Sequence, residues 1–139
     1  MIERTGLLYS ATATLLMVAF YFFASFRVGI LRGRHGIKAP ACDGHPEFDR
    51  AYRIQLNTLE QMGIVLPLLW TVTLFPLGPS WLPALIGLLW VVGRVVYLRA
   101  YMADPEKRIA GAMIGGLVNF TLLLLGLAGI IRAWVAFGA

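Results

Sequence analysis

With 139 residues, 59% of them hydrophobic, 14% charged, and a mean hydropathy of +0.76, the chain is far more apolar than a soluble domain, in which about a quarter of residues carry charge. A membrane span takes roughly 20 apolar residues, so this length fits one domain of four transmembrane helices with short connections and leaves no room for a soluble domain. The net charge of +5 does not argue for nucleic acid, because basic residues beside membrane spans follow from topology and from anionic headgroups.

The first span is expected from Gly6 to Leu31, with Phe20-Tyr21-Phe22-Phe23 in its second half and Arg27 placed to snorkel. It is too long for a signal-peptide core and leads into Arg27 to Arg34 rather than a small-residue cleavage pattern, so it reads as a retained span. The loop Gly33 to Asp49 is rich in Gly, Pro and charge. It holds Cys42, the only cysteine, which excludes an intramolecular disulfide and reads as an ordinary free thiol. It also holds both histidines, His35 and His45, neither with an acidic or cysteine partner at ligand spacing on a helix, so no metal site is expected. Ser-His-Asp triads and phosphate-cradling glycine loops are absent from the sequence.

Pro46 with Glu47 and Asp49 marks the start of helix two, which is predicted to begin outside the hydrocarbon and reach about Phe75, with Pro67 as a kink. Arg50, Arg53, Asn57 and Glu60 recur at i, i+3, i+7 and i+10 and so share one stripe, with Gln61 at its edge. Gln55 points elsewhere, toward a neighbouring surface. Polar groups at that depth need a reason, and an unpaired Glu60 carboxylate would be costly there; a structural ion pair to an arginine is the alternative.

After the uncharged turn Pro76-Leu77-Gly78-Pro79, Ser80 is expected to cap span three, Trp81 to about Met102. Arg94, Tyr97 and Tyr101 share a face of it at i, i+3 and i+7. Arg50, Arg94 and Arg99 read equally well as snorkelling flanks, and the tyrosines as an interfacial belt. Asp104-Pro105-Glu106 is an N-cap, a first-position proline and a first-turn acid, opening helix four, which runs to about Phe137 and carries Arg108 just inside. Gly111 and Gly115 give that helix a close-approach face, for use within the bundle or between subunits. Short turns favour an up-down-up-down bundle. Of the twelve Lys and Arg residues only Arg4 and Arg132 lie at the end opposite loops one and three, which predicts cytoplasmic loops and termini on the other side.

Both polar stripes end at the same membrane face. Guanidinium, amide, carboxylate and phenol groups gathered there suit a small ligand with carboxylates at one end and an amine at the other, such as glutathione, with hydrocarbon alongside to deliver an apolar second substrate.

The run F-D-R-A-Y-R-I-Q-L-N-T-L-E-Q, residues 48–61, resembles the helix-two signature of the MAPEG family, the membrane-associated proteins in eicosanoid and glutathione metabolism. The R-x-x-Y-x-x-x-Y pattern from Arg94 and the P-x-x-R pattern ending in Arg108 extend the resemblance over nearly the whole chain. It implies an all-α membrane protein, a four-helix bundle in a homotrimer, with glutathione in a cleft between protomers near the cytoplasmic side, in the inner membrane if the source is bacterial. By matching position it implies glutathione ligands at Arg53, Asn57 and Glu60, at Gln55 reaching from the adjoining subunit, at Tyr97 and Tyr101, and at Arg32 near a ligand carboxylate. Arg108 matches the arginine that holds the glutathione sulfur as thiolate. Glutathione is then the co-substrate, no metal is needed, and the second substrate is a lipophilic electrophile or hydroperoxide. Gln61 stands where leukotriene-C synthase-like members have tyrosine, and Arg32-Gly33-Arg34 where they have adjacent arginines. A general glutathione transferase or peroxidase is therefore expected over a specialised eicosanoid enzyme, with a non-catalytic lipid- or glutathione-binding accessory protein as the alternative.

Overall fold

The computed structural model describes residues 3–138, and within them the regular structure is entirely helical. Helix α1 spans Arg4–Arg34, α2 Pro46–Leu74, α3 Leu82–Ala103 and α4 Ile109–Gly138, with a 3-10 turn, Pro105–Arg108, leading into α4. Three stretches, Arg4–Arg34, Leu82–Ala103 and Pro105–Gly138, are long and apolar enough to cross a membrane. The 29-residue α2 carries the polar stripe and packs alongside the others along its length.

Contacts fix an antiparallel arrangement. Ser10 near the start of α1 meets Thr73 near the end of α2, and Gln55 near the start of α2 meets Ser25 in the second half of α1. Arg94 of α3 reaches Thr58 of α2, and Gly111 of α4 lies against Tyr97 of α3. α2 and α3 form the central pair, each touching both other helices, with α1 and α4 on opposite sides. The main core draws Ala13 and Met17, Met62, Val65 and Leu69, Trp90, and Val118 and Leu122 from the four helices in turn. Large side chains such as Leu15, Phe22, Leu117 and Leu124 stay exposed on the outside, the inverted surface that lipid requires.

Local chemistry explains the ends. α1 closes with Gly36 at φ 64° and a bond from the Ile37 amide to the Arg32 carbonyl, the glycine-terminated cap that only a residue without Cβ adopts at no cost. Asp104 caps the last helix as expected, its Oδ1 accepting the Glu106 amide at 3.0 Å, but the turn it opens is 3-10 rather than α. Ser80 does not cap α3. The Leu82 amide already bonds the Pro79 carbonyl, so the chain is turning at Ser80, whose Cβ instead packs against Gly6 at the start of α1. Thr58, Thr71 and Thr73 return their hydroxyls to carbonyls one turn back, which hides a donor that lipid cannot accept.

Candidate functional site

A connected series of side chains crosses the bundle at its loop-one and loop-three end. Asn57 Nδ2 on α2 donates to the Tyr97 hydroxyl on α3 at 2.5 Å. The Tyr97 ring stacks on Tyr101 with centroids 5.6 Å apart, and the Arg108 guanidinium lies 5.5 Å from the Tyr101 centroid. The two stripes read separately from the sequence thus meet through Asn57, Tyr97, Tyr101 and Arg108. One turn before and one turn after Asn57, Arg53 and Glu60 are exposed on the outside of the chain and form no ion pair among the described residues. The structural ion pair weighed for Glu60 is therefore not formed within one chain. Leu59 and Ile64, its neighbours in sequence, are exposed as well.

Arg94 is not a snorkelling flank. It is 3% exposed, donates Nη2 to Thr58 Oγ1 at 2.9 Å and lies 4.3 Å over the Tyr97 ring, while its Nε has no partner. The charge is held by the faces of Tyr97 and Trp90 and by one hydroxyl, with no carboxylate paired to it among the described residues. Arg50 is half-buried and bonds the Met102 carbonyl at 2.9 Å, pinning α2 to the end of α3. Only Arg99, exposed, behaves as the sequence allowed.

Gln55 and Arg32 belong to another face. Gln55 Nε2 bonds Ser25 Oγ on α1 at 3.0 Å, and Arg32 packs 4.8 Å over the Phe48 ring while donating to the Ala41 carbonyl at 2.9 Å. Nearby, Cys42 shares a 3.3 Å contact with the Tyr52 hydroxyl, so the thiol is free but engaged. Two residues apart on a helix, Gln55 and Asn57 point about 160° away from each other.

Two polar interactions had no forecast. Asn119 Nδ2 on α4 donates to Gln61 Oε1 at 2.7 Å, joining α4 to α2 deep among apolar side chains. A lone amide in the run Leu117 to Leu125 was the available signal, since polar groups at that depth find partners. Gln61 is thereby committed to packing. Helical spacing gives the histidines no acidic partner, yet across loop one His35 Nε2 lies 3.1 Å from Glu47 Oε2, and the His35 and His45 rings stack 3.5 Å apart. Loop one doubles back at Gly36 and brings position 35 onto 45–47, a proximity that helical spacing does not encode.

Gly111 and Gly115 both face the bundle. A Cβ at Gly111 would sit 2.4 Å from the Tyr97 amide nitrogen, so this glycine lets α4 reach the backbone of the tyrosine that binds Asn57. An open apolar concavity of about 420 Å³, lined by Phe75, Ile130, Ala133, Trp134 and Phe137, lies at the opposite end, and no charged group lines it.

The sequence matches the model of the MAPEG family over residues 10–128, which takes in every residue of the series from Asn57 to Arg108. The chain belongs to the MAPEG family. It is 34% identical over 128 residues to an uncharacterized protein of Synechocystis sp., covering 92% of each chain. It is 32% identical to leukotriene C4 synthase of Cavia porcellus, over 93% of this chain and 85% of that one. It is also 32% identical to microsomal glutathione S-transferase 2 of Mus musculus, over 85% and 81%. Within this MAPEG chain, Arg53, Arg108 and Glu60 are exposed without ion-pair partners among the described residues, while Arg50, Gln55 Nε2, Gln61 Oε1 and Asn119 Nδ2 are engaged by internal partners.

Proposed function

We propose that the protein is a membrane enzyme that binds glutathione and uses its thiolate on lipophilic electrophiles, by conjugation, or on lipophilic hydroperoxides, by reduction. The observation that carries this reading is the Asn57–Tyr97–Tyr101–Arg108 series, flanked on the outside of α2 by Arg53 and Glu60. Guanidinium groups suit the two glutathione carboxylates, and Glu60 suits its ammonium. Arg108, at the mouth of α4 where the helix dipole also favours an anion, suits the sulfur. The homologous leukotriene C4 synthase and microsomal glutathione S-transferase 2 support the same class of chemistry.

All four helices span the membrane in this reading, and three chains assemble in a ring. Support comes from the opposed directions of Gln55 and Asn57, which one glutathione cannot meet on a single chain. A ring that sets the α1–α2 side of one subunit against the Asn57 side of the next brings Arg32 and Gln55 to the ligand and covers Glu60 away from lipid. The basic bias puts the site near the cytoplasmic side, so a reporter fused to the C-terminus is expected on the other.

The test is a glutathione-dependent rise in thermal stability of the detergent-solubilised trimer, followed by conjugation of an aryl halide. A shift without turnover, on either an aryl halide or a hydroperoxide, makes the protein a glutathione-binding accessory. No shift at millimolar glutathione rejects the reading.

A further inference from the structure

Loop one holds a cluster that the glutathione site does not use. His35 is the residue that ends α1, His45 the one that precedes α2, and Glu47 lies in the first turn of α2. One ligand-capable atom from each lies within 4.8 Å of the other two. We propose that His35, His45 and Glu47 bind a divalent transition-metal ion of zinc's class, which clasps the end of α1 to the start of α2.

The donor set fits. Two imidazoles and a carboxylate are the ligands of a borderline ion such as zinc, not of magnesium or calcium, which take oxygen. Donors at about 2.0–2.2 Å from one ion in tetrahedral geometry lie about 3.3–3.5 Å apart, close to the 3.1 Å between His35 Nε2 and Glu47 Oε2. The carboxylate is already divided between two tasks, since Oε1 faces the Arg34 guanidinium at 3.8 Å and leaves Oε2 for the ion. Such an outer contact orients a metal-binding carboxylate without occupying it. His45 Nδ1 accepts the Glu47 amide at 3.3 Å, so an ion binds this ring in place of that amide bond, either at Nδ1 or at Nε2 once its proton has moved to Nδ1. Asp49 Oδ1 fixes the backbone beneath it by accepting the amides of Gly44 at 3.0 Å and His45 at 3.4 Å.

The two imidazole rings stack with 12° between their planes. An ion lies in the plane of each ring it binds, so occupancy opens the stack. His45, exposed and preceded by Gly44 at φ 141°, is the ring with room to swing.

The experiment uses the full-length solubilised protein, freed of any affinity tag and stripped with chelator, titrated with Zn²⁺ against a chromophoric competitor. Glutathione is left out because its thiol binds zinc. One ion per chain and a raised Tm are expected, with affinity at least tenfold weaker in His35→Gln and in His45→Asn; asparagine keeps the helix cap. Cu²⁺ as a spectroscopic probe should show coupling to two imidazole nitrogens in the wild type and one in each variant. Wild-type affinity in either histidine variant overturns the proposal, as does equal loss in Cys42→Ser or no binding at millimolar Zn²⁺. The glutathione-induced Tm shift, measured separately on the metal-free protein, keeps failure of the clasp distinct from failure of the glutathione site.

Discussion

The two ends of the bundle treat polar groups in opposite ways. At the end holding the α2–α3 turn, Ser10 and Thr73 share a hydrogen bond of 2.7 Å, Gly6 lets Ser80 approach, Gly129 lies against the Phe75 carbonyl, and Arg132 donates to the Pro76 carbonyl. Ser10, Thr73 and Arg132 there are answered by their own chain. At the other end Arg53, Glu60 and Arg108 open outward without ion-pair partners among the described residues, and buried Arg94 keeps an unanswered Nε. Polar groups in an apolar setting are tolerated only when something satisfies them. Where the chain does so itself the group is architecture; where it does not, the group is left to water, a headgroup, a ligand or another subunit.

The largest expected effect tests the open end. Arg108→Gln should lower turnover about 100- to 1,000-fold, the scale for removing one charge-stabilising group from an active site, while glutathione binding weakens much less. A free thiol has a pKa near 8.5, and a guanidinium beside the sulfur lowers it, so the absorbance of bound thiolate across pH is the direct readout. An unchanged midpoint in the variant would remove Arg108 from the chemistry. At the closed end, Gly129→Ala places a Cβ 2.2 Å from the Phe75 carbonyl oxygen, and should cost about 1–3 kcal/mol of stability through overpacking. Its glutathione affinity should stay that of wild type, and a change would show that the two ends are coupled. Glu60→Gln is the mirror image. It should weaken glutathione by about 1–3 kcal/mol and leave the ligand-free Tm in place, because no internal partner is lost. A destabilised ligand-free protein would make Glu60 architectural.

The smallest effect concerns Glu47. The hydrogen bond from His35 holds its carboxyl below the ordinary 4.5 against the opposing cost of desolvation, and the charges of Arg34 and Arg27 add to the lowering. A folded pKa below the unfolded one contributes stability above pH 4.5 that fades as pH falls through the lower folded value. The Tm difference between wild type and Glu47→Gln should therefore close on acidification below about pH 4.5, and a difference that persists would assign it to packing.

Much of this was legible because membrane helices declare themselves through local rules. Pro46 and Asp104 start helices where capping chemistry says they should, and the spacing of Arg50 to Glu60 sets one stripe. What escaped depends on neighbours distant in sequence. Arg94 reads like Arg99, five residues on, until α2 covers the first and leaves the second bare. Ser80 has the composition of a cap, but the approach of α1 at Gly6 sets its use. The pairing of His35 with Glu47 needs the reversal at Gly36, and Asn119 needs α2 at the right height. Among the candidate site residues, spacing put Asn57 and Tyr97 on their stripes, while only packing joined them and turned Gln55 the other way.

The bond between Asn119 and Gln61 adds little energy, about 0.6 kcal/mol for an average interhelical pair in a membrane. Its weight lies in indexing. Asn119 lies about three turns along α4 from Arg108, which ends the 3-10 turn leading into that helix, about 16 Å away. The close-packed glycines of α4 and this amide pair together hold the helix's angle, and a roll of one residue, about 100°, would swing Arg108 away from Tyr101. The amide pair works as a keyway that sets the guanidinium's bearing from a distance. Substitutions there should alter chemistry at a place they never touch, through rotation alone.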